Sequence, residues 1–394
     1  MDEKSIKDLK ILELITLFSI GGATETVVSL AAGLKSEGFR VDIATGPNIA
    51  SEGSMYEEAA NLGLNVFTLP YVKREIKIIQ DLVCIYKLIR FIRQGNYDIV
   101  HTHSSKAGVV GRIAARLAGA KVVVHTVHGL PFHRYQKPLV KYFFIFVEKI
   151  TSHFCDGLVA VSSTIIETML GYGIRKREHY HLIRSAFDTE SFTPDERERK
   201  DLRSSLGIYD DTLVLAKAAR LSPLKGHRYL LEALSILRSE NLKLKTLLIG
   251  NGEIESELKQ YVDENGMHDS VIFTGLISPE KIPSYLNASD VLVHTSLLEG
   301  LARVLPQAIV LEKPVIVFNL DGAPEVVKDG VNGFLIEPEN VAQLASRIRE
   351  LVADRDKVKR FGKAGKEMIG GMFDDATMVD QTIRLYKELW EAKR

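Results

Sequence analysis

The stretch LLEGLARVLPQ, residues 297–307, carries one acid, Glu299, beside Gly300, and then Arg303, Pro306 and Gln307 in a helical pattern. Proline is tolerated in a helix only within the first turn, so Pro306 places the N-cap near Ala302. The amides of Arg303, Val304 and Leu305 are then left without intrahelical partners. Donors at the positive end of a helix dipole make an anion site suited to phosphate. Steps of four residues advance only about 40° around a helix, which puts Glu299, Arg303 and Gln307 on one stripe. Leu301, Val304, Leu305, Ala308 and Ile309 form the core face. A carboxylate at this mouth would repel the phosphate itself, so Glu299 is expected to accept from hydroxyls of an attached sugar. Capping or solubilising a helix end is the plainer alternative.

Other segments carry matching chemistry. ARLSPLKG puts Arg220 and Lys225 in a loop leaving a strand, where two cations could clamp a diphosphate or be ordinary surface charges. FTGLISPE offers Gly275 just past a strand, where backbone can approach a flat base. DGAPEVV brings Gly322 and Glu325 to another strand end. Gly21 and Gly22 again leave a strand and open a helix. His101, His103, His125, His128 and His133 lie at or near strand ends. HxH spacing suits a metal, but no companion carboxylate or cysteine spacing completes a site, and polar loops explain the histidines as well. GNGE at Gly250 fails the dinucleotide fingerprint because Glu255 stands at the third glycine, and AAGLKS lacks the first Walker glycine. Neither NAD nor ATP is supported.

These groups need strand ends to hold them. LKILELITLF, RVDIAT, YDIVHTH, KVVVHTVHG and DGLVAVS are short apolar runs ending in polar or glycine-containing loops, with helical patterns between them. After LIRSAFDTESFTPDERERK the alternation restarts with TLVLAKAAR, LKTLLIG, VIFTG, DVLVHTS and PVIVFN. The expected fold class is α/β, with two doubly wound, Rossmann-like domains of parallel sheet facing each other across a cleft. Expected domains are 1–187, 188–373 and a helix at 374–394, whose Val379, Thr382, Ile383, Tyr386 and Trp390 form an apolar stripe that must dock.

The 394 residues are 45% apolar and 26% charged with zero net charge, which fits a globular protein of two or three domains. Such balance gives no support to a nucleic-acid surface spread over the whole protein and leaves room for a local basic patch. Cys84 and Cys155 form no CxxC pair, which fits a reducing compartment. MDEKSIKDLK has no apolar signal region, and YFFIFV at 142–147 is far short of the ~20 residues a spanning helix needs, so nothing is expected to cross a membrane.

Taken in order, GGATETVVSLAAGLKSEGFRV, DIVHTHSSKAGVVGRIAARLAG, TVHG, RLSPLKG, GNGE, FTG, EGLARVLPQA and DGAPEVVKDGVNGFL resemble the retaining glycosyltransferases of family four, over nearly the whole chain. The resemblance implies the GT-B fold, with an acceptor domain first, a donor domain second and a C-terminal helix crossing back to the first. It implies a nucleotide-diphosphate sugar as donor, UDP- or GDP-linked, with Arg220 and Lys225 on the diphosphate. Glu299 would hold sugar hydroxyls, helped by amides after Gly300 at Leu301, Ala302 and Arg303. His128 would lie near the donor sugar, and Gly22 near the reacting centre. No cofactor and no metal is expected, the leaving phosphate assisting attack from the same face. Two positions depart from the family pattern: the second acid of E-x7-E is Gln307, and a common glycine is Ala302. A glutamine keeps one acceptor oxygen for a ribose hydroxyl.

YVKREIKIIQDLVCIYKLIRFIRQ and HRYQKPLVKYFFIFVEKI interleave basic and apolar residues, so Lys73, Arg74, Lys77, Lys141 and Lys149 could face anionic lipid. Against that, Leu82, Ile85, Ile89 and Ile92 read as an ordinary core stripe with solvated bases opposite. The expected acceptor is a glycan or lipid-linked glycan in envelope polysaccharide assembly. Expected localisation is cytoplasmic, with the inner membrane face as an alternative. A nucleotide-sugar 2-epimerase and a non-catalytic sugar-nucleotide binder remain rival readings.

Overall fold

Strands form where the apolar runs stood, and strands at Asn65–Thr68, Tyr180–Leu182 and Gly333–Ile336 add to them. In the first unit they are β1 (Lys10–Ile15), β2 (Arg40–Thr45), β3 (Asn65–Thr68), β4 (Ile99–His103), β5 (Val122–Val127), β6 (Gly157–Ala160) and β7 (Tyr180–Leu182). They make one parallel sheet in the order β3-β2-β1-β4-β5-β6-β7. Every residue of β4 and β5 is buried, as expected of central parallel strands covered on both faces. The computed structural model describes residues 6–47 and 53–393; the first five residues of the polar opening segment and Arg394 lie outside them.

The second unit repeats the plan with β8 (Leu213–Ala218), β9 (Leu244–Ile249), β10 (Val271–Gly275), β11 (Val291–His294), β12 (Val315–Phe318) and β13 (Gly333–Ile336), ordered β10-β9-β8-β11-β12-β13 and parallel throughout. Strand order reverses between β1 and β4 in one sheet and between β8 and β11 in the other. Ligands of open α/β sheets bind at such switch points, beyond the carboxyl ends of the strands.

The chain divides into Met1–Phe187 with Met372–Arg394, and Asp188–Gly371. The C-terminal helix Asp375–Glu391 therefore packs in the first unit, against the Gly22–Ser36 helix. Met378, Val379, Thr382, Leu385, Tyr386 and Trp390 are its buried face, while Ile383 is only partly covered. Close approach depends on Gly33, where a Cβ would stand 2.3 Å from a Val379 methyl. Another helix pair is locked by charge: Arg112, fully buried on the Ser105–Ala118 helix, donates two-pronged to Glu148 on the Pro138–Thr151 helix at 2.9 and 3.1 Å.

The core stripe expected at Leu82, Ile85, Ile89 and Ile92 is corrected at Leu82: Ile92 is buried, and Ile85 and Ile89 are half-buried. The Ile78–Gly95 helix also buries Cys84 and Leu88. Leu82 is 63% exposed and Ile79 79% exposed, with Ile78, Val83 and Tyr86 beside them. One row of the helix's apolar residues does not serve the core at all. On the Pro138–Thr151 helix Leu139 is 84% exposed, and Tyr142, Phe143 and Phe146 are exposed too. Both helices pack on the Ser105–Ala118 helix.

Candidate active site

At the second unit's switch point, three loops are tied into one block. The loop after β8 ends in the short turn Pro223–Lys225, followed by Gly226 in the left-handed region at φ 65°. A Cβ there would sit 2.0 Å from the Thr295 carbonyl oxygen, so only glycine lets this loop meet the one after β11. The Thr295 hydroxyl donates to the Gly226 carbonyl at 2.7 Å, and the Leu297 amide to the Leu224 carbonyl at 2.8 Å. The loop after β12 joins through Asp321, which accepts from the Glu299 amide at 2.7 Å, and through the Gly322 amide, which donates to the Gly300 carbonyl at 3.0 Å.

Within this block the Lys225 ammonium donates to Glu299 Oε1. Ser296 donates to the same oxygen at 3.0 Å, and His294 Nε2 lies 3.5 Å from it. Burial alone would raise the Glu299 carboxyl; the Lys225 charge and the His294 contact outweigh that and hold it well below the usual carboxylate range. Beneath the pair, Lys217 is completely buried and donates to the Thr295 hydroxyl at 2.8 Å. Burial, then the neighbouring Lys225 charge, lowers its pKa to about 7. A small cavity lined by His294, Ser296, Glu299, Leu301, Ala302 and Asp321 opens beside the carboxylate.

Two expectations about this stretch are corrected. The helix is Val304–Val310, seven residues with Arg303 as N-cap, one position later than expected. The Leu305 amide is already used, donating to the Ala302 carbonyl at 3.0 Å. Proline is allowed at several first-turn positions, so Pro306 bounded the start without fixing it. Glu299 precedes the helix in a loop, so four-residue stepping does not reach it, and its side chain is directed by Lys225 rather than by a stripe with Arg303 and Gln307. Gln307 is half-buried on the helix itself and Arg220 is exposed. Gly275 stands at the end of β10 with φ 71°, and a Cβ there would meet nothing within 4 Å.

In the first unit, Gly21 precedes the Gly22–Ser36 helix, and a Cβ on Gly21 would also meet nothing within 4 Å. At the switch point beside it, β1 and β4 place Glu13 opposite His101, one strand over. The sequence offered no companion carboxylate for the histidines; Glu13 is that carboxylate, hidden inside the apolar run KILELI. His103 Nε2 lies 2.6 Å from Glu13 Oε2, and His103 Nδ1 lies 3.0 Å from His128 Nε2. Tyr386 donates to Glu13 Oε1 at 3.1 Å and sits 2.6 Å from His101 Nδ1, whose Nε2 meets Thr126 at 2.7 Å. Both ring nitrogens of His101 and of His103 are thus engaged by hydrogen-bonding partners. Burial raises the Glu13 pKa to about 8, against a smaller lowering by Tyr386, and burial lowers that of His103 to about 3. His125 pairs with Thr102 instead, and His133 has no part in the cluster.

Family models match both halves of the chain: Glycosyltransferase Family 4 over residues 20–191 and Glycosyl transferases group 1 over residues 198–368. The chain is 28% identical over 359 residues to the UDP-Gal:alpha-D-GlcNAc-diphosphoundecaprenol alpha-1,3-galactosyltransferase of Escherichia coli, covering 90% of this chain and 91% of that protein. Similarity to the capsular polysaccharide biosynthesis glycosyltransferase CapM of Staphylococcus aureus is 24% over 345 residues, 86% and 88% of the two chains. Among solved structures, Anabaena Alr3699/HepE in complex with UDP-glucose superposes with a TM-score of 0.83 at 24% identity, over 96% of this chain and all of that one. That likeness shows the fold, two Rossmann-like units of the GT-B class.

Proposed function

The chain belongs to the group 1, family-four glycosyltransferases and is a transferase enzyme; from that premise we propose that it moves a hexose from a UDP-hexose to a lipid-linked diphosphate acceptor, with retention of anomeric configuration. The observation that carries this reading is the braced Lys225–Glu299 pair at the second unit's switch point, with Arg220 on the same loop. A permanent carboxylate accepts hydroxyls of the sugar, while Lys225 and Arg220 meet the diphosphate. Gln307 accepts a ribose hydroxyl. Lys225 has to be shared between Glu299 and the donor, so donor binding exchanges one ion pair for another and does not neutralise a bare cation. These cations meet the diphosphate without a divalent ion, and we propose that turnover persists in excess EDTA.

UDP is favoured over GDP because the Escherichia coli relative is named for UDP-Gal and the Anabaena structure holds UDP-glucose. The lipid-linked acceptor is favoured by that relative's name and by the uncovered apolar faces of the Ile78–Gly95 and Pro138–Thr151 helices. Exposed Lys73, Arg74 and Lys77 precede the first of these, and Lys137 and exposed Lys149 bracket the second. Among the described residues no helix is long and apolar enough to cross a membrane. These faces suit a helix lying in the interface of an anionic bilayer. Incubation with UDP-hexoses and an undecaprenyl-diphosphate-linked sugar, with the product anomer read by NMR, tests the assignment. Transfer only from GDP-sugars would replace the donor, and donor epimerisation without acceptor would replace the reaction. Sedimentation with anionic vesicles tests the surface: Ile79→Ser with Leu139→Ser should reduce binding severalfold, and equal binding would remove the membrane role.

A further inference from the structure

We propose that Glu13, His103 and His128 form one proton relay, in which Glu13 and His103 are positioning residues that decide which ring nitrogen of His128 carries its proton. The inference rests on the transferase reading only in making His128 a substrate contact; the relay itself rests on geometry. Glu13 Oε2, His103 and His128 follow one another at 2.6 and 3.0 Å, and each imidazole joins its two neighbours through opposite nitrogens. A neutral imidazole donates through one nitrogen and accepts through the other, so the direction of the first hydrogen bond dictates the second.

The relay has two self-consistent states. In the acid state Glu13 keeps its proton on Oε2 and donates to His103 Nε2, His103 Nδ1–H donates to His128 Nε2, and the His128 proton is on Nδ1. In the carboxylate state Glu13 accepts from His103 Nε2–H, His103 Nδ1 accepts from His128 Nε2–H, and His128 Nδ1 bears a lone pair. Between them one proton leaves at His128 Nδ1, the His103 Nδ1 proton passes to His128 Nε2, and the Glu13 proton passes to His103 Nε2. Three protons become two, and the single negative charge appears on Glu13, where the Tyr386 hydroxyl donates to it. No imidazolium is formed, which matters because burial disfavours one at His103. Half-exposed His128 thus exchanges a proton with a substrate hydroxyl or phosphate oxygen while the charge is held on fully buried Glu13.

The groups that face the relay are consistent with this. From β4, His101 Nδ1 stands 3.6 Å from Glu13 Oε2, and from the C-terminal helix Tyr386 contacts both. His125, beside the Arg112 charge, acts through space on His101 and disfavours its charged form. Burial of Glu13, which raises its pKa to about 8, brings the exchange between states near neutral pH.

Nitrogen-15 spectra of the full chain labelled at histidine read the tautomers directly, with the His128 signals assigned by their loss in His128→Gln. The expected result is one His128 tautomer at each pH, protonated at Nδ1 below a midpoint near 8 and at Nε2 above it, with His103 switching at the same midpoint. In Glu13→Gln the switch disappears, and kcat falls roughly tenfold with the donor KM unchanged, as for loss of an interaction made at the transition state. His103→Gln, a second variant should the first not fold, leaves His128 titrating to an imidazolium like a solvated histidine. A wild-type His128 that already titrates to an imidazolium overturns the relay, as does a switch that survives in Glu13→Gln. Because the spectra need no substrate, failed transfer in the donor assays would sink the transferase reading and leave the relay standing.

Discussion

The two switch points occupy the same place in their sheets and are built from opposite materials. Beyond β8 and β11 the groups carry fixed charge: a carboxylate held ionised by a lysine, in loops braced by backbone hydrogen bonds. Between β1 and β4 the groups are buried and predominantly neutral: an acid, two imidazoles and a phenol whose protons can be rearranged. Fixed charge suits binding a diphosphate of constant charge, since no proton need move. Movable protons suit a step in which a hydroxyl gains or loses one.

The sharpest test is the pH dependence of stability in Glu13→Gln. A carboxyl whose folded pKa is raised contributes stability that is fully present below its unfolded pKa, about 4.5, and is lost as pH rises through about 8. The amide cannot ionise, so the variant should gain on wild type across that window, by the order of a few kcal/mol, and the difference should be flat on either side. A constant difference from pH 4 to 9, measured by calorimetric melting, would place an ordinary ionised acid at Glu13 and erase the contrast. Next in size, Lys225→Ala should weaken donor binding by about 1.5–3 kcal/mol, the value of a charge-assisted hydrogen bond. Because Glu299 shares that lysine, the double variant with Glu299→Gln should lose less than the sum of the two; additive losses by titration calorimetry would mean that the pair acts as two independent groups. Smallest is Gln307→Ala, expected to cost about 0.5–1.5 kcal/mol of affinity for donor and free UDP alike. Unchanged affinity for both would leave Gln307 a plain helix residue, and Gln307→Glu should stay active.

The second region was the more legible in the sequence. Its candidate groups stand where apolar runs break into glycine-containing loops, and that break is a local signal: TLVLAKA gives way to Arg220, and VLVH to Glu299. What the pattern did not carry was mutual contact, as between Lys225 and Glu299, which are 74 positions apart. Lys217 was passed over because one base inside an apolar strand looks like noise. The first region hid for a similar reason. Glu13 sits in a run read simply as a buried strand, and only its cross-strand register with His101 reveals its use. A signal was present: an acid at the centre of KILELI, and two histidines at period two, which puts both on one face of β4. Short edge strands such as β3 went unseen because four mostly exposed residues leave little apolar pattern to detect.

Tyr386 gives the C-terminal helix a role in time as well as in space. Until that helix is synthesised, Glu13 and His101 lack their phenol partner, and the apolar surface of the Gly22–Ser36 helix around Gly33 lacks its cover. All of Asp188–Gly371 has to leave the ribosome first. At about 5–20 residues per second that is a wait of roughly ten seconds or more, during which the first unit is an unfinished half-site. The usual order, in which the earlier domain folds while the later one is being made, is therefore broken here: the unit that begins first is completed last.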